Sequence, residues 1–167
     1  MTIIEDNQIL ILLSQFIRMI NKKGYIQFLC ETLKSRISDL EVELDSIDDE
    51  IAKETKSSAG DKFETSREMM SQARARVEEQ VSKIGNQIRT LKEIIPNSNT
   101  GIIAHGSIVE TDKGIFFFGV ALEKMIFENK TIYNLSMNSP IGQIFNGKSI
   151  DEAINFRNTA YHILNVE

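Results

Sequence analysis

Two apolar series with the same spacing constrain this chain more than any other feature. Each series advances in steps of 3, 4, 4, 3, 4, 3 and 4 residues. A mean spacing near 3.5 residues keeps one narrow apolar seam along a helix, which is the condition for a coiled coil. The members are Ile26, Leu29, Leu33, Ile37, Leu40, Leu44, Ile47 and Ile51 in the first series, and Met70, Ala73, Val77, Val81, Ile84, Ile88, Leu91 and Ile95 in the second.

The stretch between the two series has the composition of a turn. It reads KSSAGDK over residues 56–62, and it joins two segments of similar length. Two such helices joined by a short loop run antiparallel, so residues 26–95 are predicted to form a coiled-coil hairpin with its tip near 56–62. Each arm has roughly 30 residues and a length of about 45 Å. We expect the hairpin to project, although packing against a helical extension at residues 1–25, or dimerisation, remains an alternative.

After the hairpin the composition changes. Six of the nine glycines and eight of the twelve aromatic residues follow residue 100, and the two prolines lie at positions 96 and 140. This is typical of strands and turns, so 96–100 is predicted to be a linker and 101–167 a small antiparallel-sheet domain, which makes the chain α+β. The predicted elements are a strand hairpin over 101–111 and 113–124, a strand at 130–136, a short helix at 139–147 with a serine cap, and a closing pair of strands.

Charge and cysteine content exclude several classes of protein. The net charge of −5 disfavours a broad nucleic-acid-binding face, and the single Cys30 excludes an intramolecular disulfide and a cysteine zinc site. The longest apolar run, residues 9–13, is too short to span a bilayer, and it follows Glu5 and Asp6 where a secretory signal would carry positive charge. We therefore expect a soluble, cytoplasmic protein with no membrane partner.

Two carboxylates at the predicted tip are the main candidates for chemistry. Asp61 and Glu64 are three residues apart at the start of the second helix, which places them on one face. Such a pair can offer oxygen ligands to Mg²⁺, weakly unless a second molecule completes the site. The same spacing is also a capping box, with Asp61 as the cap, and Ser58 with Asp61 forms a competing box. Capping and metal binding do not exclude one another.

Other reactive residue types are interpreted as structural. His105 and His162 fall in predicted strands without a cysteine cluster, and Cys30 lies next to the seam. The acidic stretch over 39–54 carries eight carboxylates and one lysine. It is interpreted as a solvated helix face, with orientation along a positively charged channel as the alternative.

The tip and one segment of the last domain together resemble the bacterial Gre-type transcript cleavage factors. The letters GDKFET at 60–65 are similar to the family's Gly-Asp-x-x-Glu-Asn tip. The letters NSPIGQIFNGKSIDE at 138–152 are similar to its Ser-Pro-Ile-Gly…Gly-Lys…Asp segment, and residues 106–121 are similar to a variant branch seen in Bacteroidetes-like bacteria. The resemblance covers about residues 26–167.

The resemblance implies a coiled coil that enters the secondary channel of the RNA polymerase core and an FKBP-like domain at the channel rim. It assigns Asp61 and Glu64 to metal binding and catalysis, where they would help hold a second Mg²⁺ shared with the polymerase active site. It assigns Ser139, Pro140 and Ile141 to contact with the rim. The nascent RNA 3′ end is met only indirectly, so the protein is predicted to be an accessory factor for transcript cleavage and not itself an enzyme.

Departures from the family pattern leave other functions open. Thr65 replaces the asparagine that usually follows the tip glutamate, and Arg67 and Glu68 stand where a tyrosine is expected. One alternative is therefore a regulator that occupies the channel without stimulating cleavage. Another is a coiled-coil adaptor unrelated to transcription.

Overall fold

A computed structural model describes the backbone of residues 20–55, 61–95 and 101–167. It describes the side chains of the same residues except 54, 55 and 61–63. The chain divides into two compact units, each described by itself: Ile26–Ile95, here the hairpin unit, and Met1–Tyr25 with Pro96–Glu167, here the sheet unit. The predicted extension up to residue 19, the loop at 56–60 and the linker at 96–100 lie outside the described residues. Within the described ranges, no helix has the length and apolarity needed to cross a membrane.

The hairpin unit is formed by two long helices, as the apolar series predict. Helix α1 spans Lys22–Thr55 and helix α2 spans Asp61–Glu93. Most seam residues distant from the loop are buried, with Ile37 and Val81 half-buried, and the described seam residues nearest the loop are all half-buried. The buried members are Ile26, Leu29, Leu33 and Leu40 in α1, and Val77, Ile84, Ile88 and Leu91 in α2. The last residue of the second series, Ile95, is not part of the buried seam as predicted. Helix α2 ends at Glu93, and beyond it Ile94 is buried while Ile95 is 69% exposed.

One charged cluster joins the two helices across the seam. The Arg74 guanidinium donates from Nε to Asp48 Oδ1 at 2.7 Å and from an Nη atom to Glu78 Oε1 at 2.6 Å. Asp48 belongs to α1 and Glu78 to α2, so the arginine links the two helices. All three side chains are substantially exposed, and such pairs typically contribute less than about 1 kcal/mol.

The sheet unit contains six strands and one short helix, α3, which confirms the α+β class. In the sheet the strands lie in the order β3-β4-β2-β1-β6-β5. Strand β1 and β2 form the predicted hairpin, closed where Thr111 pairs with Gly114. The bounds are Ile108–Thr111 for β1, Gly114–Gly119 for β2, Met125–Phe127 for β3, Lys130–Ser136 for β4, Pro140–Phe145 for α3, Ala153–Phe156 for β5 and Thr159–Val166 for β6.

The sheet is mixed rather than antiparallel throughout, because β2 and β4 pair in parallel. The cause is the three-residue β3, which the sequence analysis missed. It takes the edge position antiparallel to β4, so the chain reverses direction twice between β2 and β4, and β4 runs in the same direction as β2. The β3–β4 connection is two residues with positive φ, Glu128 and Asn129, which is the geometry of a tight hairpin turn. The predicted first strand is also shorter than expected, since β1 begins only at Ile108.

Three consecutive phenylalanines show that both faces of the sheet are covered. Successive residues of a strand point to opposite faces, yet Phe116, Phe117 and Phe118 are all buried. Phe116 and Phe118 join a core cluster on the face that carries Phe145 of α3. Phe117 points to the other face, where the Tyr25 ring contacts it edge-on with centroids 5.4 Å apart.

Tyr25 is fixed on that second face by a buried polar contact. Its hydroxyl donates to Asn134 Oδ1 at 2.7 Å, and the Asn134 amide donates in turn to the Glu123 carbonyl at 2.8 Å. Its ring also lies 5.3 Å from that of Phe127 on β3. Burial raises the pKa of Tyr25 to about 12. The first residues of α1 therefore form part of the sheet unit's core.

Candidate functional site

The predicted tip carboxylates lie at the beginning of α2. The helix starts at Asp61, and Glu64 follows one turn later, so the backbone places both on the same face of its first turn. The Glu64 side chain is exposed, whereas that of Asp61 lies outside the described side chains. The capping-box interpretation depends on the same Asp61 side chain and stays a prediction.

An open groove lies beside this first turn and is lined by both helices. It has a volume of about 330 Å³ and is here called the tip groove. Helix α1 contributes Ile51, near its C-terminal end, and α2 contributes residues near its N-terminal end, as antiparallel helices require. Its members are Ile51, Glu64, Arg67, Glu68 and Ser71.

The tip groove brings a guanidinium close to carboxylates. Arg67 lies one helical turn beyond Glu64, and both line the same groove. The Glu68 carboxylate accepts a hydrogen bond of 3.0 Å from the Gln72 amide, so it is directed along α2 and away from its start. In the sequence, Arg67 and Glu68 stood out only as departures from a family pattern. Their spacing of three and four residues from Glu64 would have predicted the shared face.

The donor set at the tip suits a weakly held Mg²⁺. Carboxylate oxygens are the ligands that Mg²⁺ prefers, and the ion commonly keeps several waters beside one or two carboxylates. An exposed Glu64 in the same turn as Asp61 meets that requirement. Among the described side chains, no group of three or more histidine, cysteine, aspartate or glutamate residues could hold a metal ion.

The three residues assigned to partner contact surround the N-terminus of α3. The Ser139 hydroxyl accepts a hydrogen bond of 3.1 Å from the Gly142 amide and donates one of 2.6 Å to the Ser136 carbonyl. Pro140 occupies the first turn, as predicted. Ile141 is half-buried and packs against the core cluster. Ser139 and Ile141 thus make contacts that stabilise the fold, whereas Pro140 is exposed to solvent.

Two further features explain why this segment has its sequence. A Cβ atom at Gly142 would overlap the Ser136 carbonyl oxygen, so no other residue fits without a shift of the backbone. Gly147 follows the helix with a φ of +77°, a left-handed conformation that glycine adopts without strain. One turn after Pro140, Ile144 is 38% exposed, an apolar side chain that the sequence analysis did not single out.

The residues interpreted as structural are distributed over both units. His105 and His162 are exposed in the sheet unit, where the His162 backbone amide donates to Asp112 Oδ1 at 2.9 Å. That bond and the neighbouring Lys113 ammonium hold the pKa of Asp112 below its usual range. Cys30 is buried in the hairpin unit, and burial raises the pKa of its thiol. A raised pKa disfavours the reactive thiolate, consistent with packing.

Comparison with known proteins gives distant structural similarity. No protein-family model matches the chain, and no curated protein matches it. It is similar to the crystal structure of GreA factor homolog 1 (Gfh1) of Thermus thermophilus, with 16% identity, a TM-score of 0.34, and coverage of 83% of this chain and 94% of that one. It is also similar to a structure of the transcription factor Gfh1, with 17% identity, a TM-score of 0.32, and coverage of 82% and 92%. Because both TM-scores are below 0.5, function has to be inferred from the residues of this chain itself.

Proposed function

We propose that this protein is a Gre-type accessory factor of RNA polymerase, active in the cytoplasm. In this proposal the hairpin unit enters the secondary channel and the sheet unit contacts the channel rim. Asp61 and Glu64 help to hold a Mg²⁺ with which the polymerase cleaves backtracked RNA. The bond-breaking chemistry belongs to the polymerase, so the protein is not itself an enzyme.

The observation that carries this proposal is the position of Glu64, which is exposed in the first turn of α2 and shares a groove with Ile51 near the C-terminal end of α1. Helix α2 has 33 residues, a length of about 50 Å at 1.5 Å per residue, and the carboxylates occupy its first turn. The seam uses few apolar positions, which leaves the remaining faces of both helices polar. A narrow polar hairpin is suited to carrying two side chains into another protein's active site.

Each unit has a distinct part in the proposed reaction. The bound Mg²⁺ would supply positive charge that stabilises negative charge developing on phosphodiester oxygens. Asp61 and Glu64 would contribute carboxylate oxygens to that ion and hydrogen-bond acceptors for the attacking water. Pro140, with the exposed Ile144 one turn further, would give the rim an apolar contact on a helix that Ser139 and Gly142 hold in place.

A specific observation favours the second candidate, a factor that occupies the channel without stimulating cleavage. Arg67 lies in the tip groove with Glu64, where a positive charge opposes cation binding. Thr65 also stands where the resemblance expects asparagine. Both candidates require polymerase binding, and they differ only in whether the carboxylates act.

A transcript-cleavage assay on backtracked complexes separates the two candidates. The double variant Asp61→Asn/Glu64→Gln keeps capping-competent side chains but removes both charges. We expect it to lower the rate of stimulated cleavage by about 100-fold, the equivalent of losing roughly 3 kcal/mol of metal-mediated stabilisation. The matched control, Glu79→Gln/Glu93→Gln, removes two exposed charges from α2 far from its first turn and should retain the activity.

The outcomes are distinct. Equal stimulation by the wild type and the tip variant would show that the carboxylates have no metal role. Binding without stimulation by the wild type would select the channel-occupying regulator. Failure of the wild type to bind core polymerase in a pull-down would contradict both and favour the coiled-coil adaptor.

A further inference from the structure

A chemically labile dipeptide lies directly after helix α3. Asn146 and Gly147 are both exposed, and Asn146 is the only asparagine in the chain that is followed by glycine. Asparagine is a thermolabile residue because the backbone nitrogen of the next residue can attack its carboxamide carbon. Glycine hinders this attack least, since it has no Cβ atom. The dipeptide therefore combines an accessible carboxamide with an unhindered nucleophile.

In the folded chain that nucleophile is held by a hydrogen bond. The Gly147 amide donates to the Ile103 carbonyl at 2.8 Å, and the Ile103 amide donates to the Lys148 carbonyl at 2.7 Å. These two bonds are here called the α3 clamp. Ile103 is itself fully buried in the core cluster of the sheet unit, so the clamp ties the end of α3 to the core.

The backbone angle at Asn146 also keeps the reacting atoms apart. A five-membered ring can close only when the Gly147 nitrogen lies on the same side of the Cα–C bond as the Asn146 Cβ atom. The ψ of Asn146 is 130°, which rotates that nitrogen away from the side chain. The rotation needed for attack would carry the Gly147 amide away from the Ile103 carbonyl. The α3 clamp therefore has to open before the reaction can begin.

We propose that Asn146 is a modification site, where the loss of ammonia is suppressed by the α3 clamp and begins when the clamp opens. The Gly147 nitrogen loses its proton and forms a bond to the Asn146 carboxamide carbon. The bond from that carbon to the side-chain nitrogen breaks, and ammonia leaves. Water then opens the resulting succinimide ring to give aspartate or isoaspartate. Water is the only co-reactant.

The isoaspartate product does not fit the folded segment. It routes the backbone through the side-chain methylene, which shifts Gly147 relative to both Phe145 and Ile103. The Lys148 amide donates to the Phe145 carbonyl at 3.1 Å across the same residues, so this bond is displaced together with the clamp. An opening that leads to reaction is therefore recorded permanently. The inference goes beyond the proposed function and does not depend on it.

Peptide-mapping mass spectrometry of the full chain, incubated at mildly alkaline pH, measures the reaction. We expect modification at Asn146 to be at least about 100-fold slower in the folded protein than in urea, because a paired amide reacts only through local opening. In urea, Asn146 should react faster than every other asparagine of the chain. Equal rates in the folded and unfolded protein, or faster reaction at another asparagine in urea, would overturn the inference.

Two matched variants separate opening of the clamp from unfolding of the whole unit. Ile103→Ala loosens the residue that holds Gly147, whereas Ile163→Ala truncates the same side chain in the same core cluster, at a residue that is 1% exposed. With both variants shown by circular dichroism to be folded, we expect Ile103→Ala to react about tenfold faster than Ile163→Ala. Equal acceleration would mean that unfolding of the whole unit, and not the clamp, controls the reaction.

Hydrogen exchange of the Gly147 amide tests the clamp without any substitution. Exchange and attack both need this amide to be released from the Ile103 carbonyl. The factor by which folding slows exchange at Gly147 should therefore agree, to within about threefold, with the factor by which it slows modification at Asn146. A Gly147 amide that exchanges as fast as in the unfolded chain would refute the clamp.

Discussion

The two units of this protein bury their apolar residues in different ways. The sheet unit covers both faces of its sheet, so that Phe117 and Phe118, which point to opposite faces, are each fully buried. The hairpin unit has one seam, buried at Leu29 and Leu91 and only half-buried at positions nearer the loop. In the hairpin unit the candidate residue Glu64 is exposed, whereas in the sheet unit Ser139 and Ile141 are half-buried. In the hairpin unit, function and stability are therefore separable, whereas in the α3 segment the same residues serve both.

Spectroscopic probes can observe the two units separately. All three tyrosines, Tyr25, Tyr133 and Tyr161, lie in the sheet unit, so near-ultraviolet circular dichroism of tyrosine reports on that unit. Ellipticity at 222 nm reports mainly on the long helices α1 and α2. Each of the following predictions uses one or both signals.

The largest effect is expected at the centre of the sheet. Phe117→Ala removes a fully buried ring that contacts Tyr25, and it should lower the free energy of unfolding by about 3–5 kcal/mol. Urea unfolding followed by the tyrosine signal measures this loss. Ile126→Ala, at a side chain that is 71% exposed in the same unit, is the control and should change stability by less than about 0.5 kcal/mol. Comparable losses in the two variants would contradict a core closed on both faces.

A pair of leucine variants tests the gradient along the hairpin. Leu29→Ala removes a fully buried seam residue and should cost about 2–5 kcal/mol, whereas Leu44→Ala, at a half-buried position, should cost about 1 kcal/mol. The measurement is urea unfolding at 222 nm. Equal costs would show that the seam is as well packed near the loop as it is at the other end.

The smallest expected effect is a pH dependence confined to the sheet unit. The pKa of Tyr25 is about 12 in the folded protein and about 10 when unfolded, so the unfolded state releases the proton first as pH rises. The stabilisation is fully present below pH 10 and is lost between about pH 10 and 12, amounting to no more than about 2 kcal/mol.

Tyr25→Phe supplies the control for this effect. The variant lacks the hydroxyl that donates to Asn134, so it should be less stable at neutral pH by about 1–3 kcal/mol. Its stability should then fall less than that of wild type between pH 10 and 12. Parallel curves for the two proteins, followed by tyrosine dichroism, would show that the Tyr25 hydroxyl is not the titrating group.

Some elements could be predicted because their signals are local. The α3 helix is specified within nine residues: Ser139 caps it, Pro140 fits its first turn and Gly147 ends it. The edge strand β3 was missed because three residues are too short for an alternation to be recognised. The Asn129 that follows is a turn residue, and it was the available clue.

The candidate site was predictable only in part, for a related reason. The spacing of Asp61 and Glu64 placed them on one helix face, which the helix bounds support. The spacing could not reveal that Ile51 of α1 lines the same groove as Glu64, because this contact depends on how the two helices pair. Nor could it reveal that the Ser139 hydroxyl, besides capping α3, donates a hydrogen bond to the Ser136 carbonyl at the end of β4.

The sequence by itself determined the two long helices and their seam, since an apolar repeat of about 3.5 residues places all its members on one face of a helix, which is then buried. It also determined the capped α3 helix and the turn between β1 and β2. Only the tertiary structure decided that β4 runs parallel to β2, that Tyr25 completes the sheet unit's core, and that Arg67 shares a groove with Glu64. Periodicity is a property of residues close together in the sequence. The direction of a strand within a sheet and the contacts of a side chain depend on segments that are far apart in the sequence.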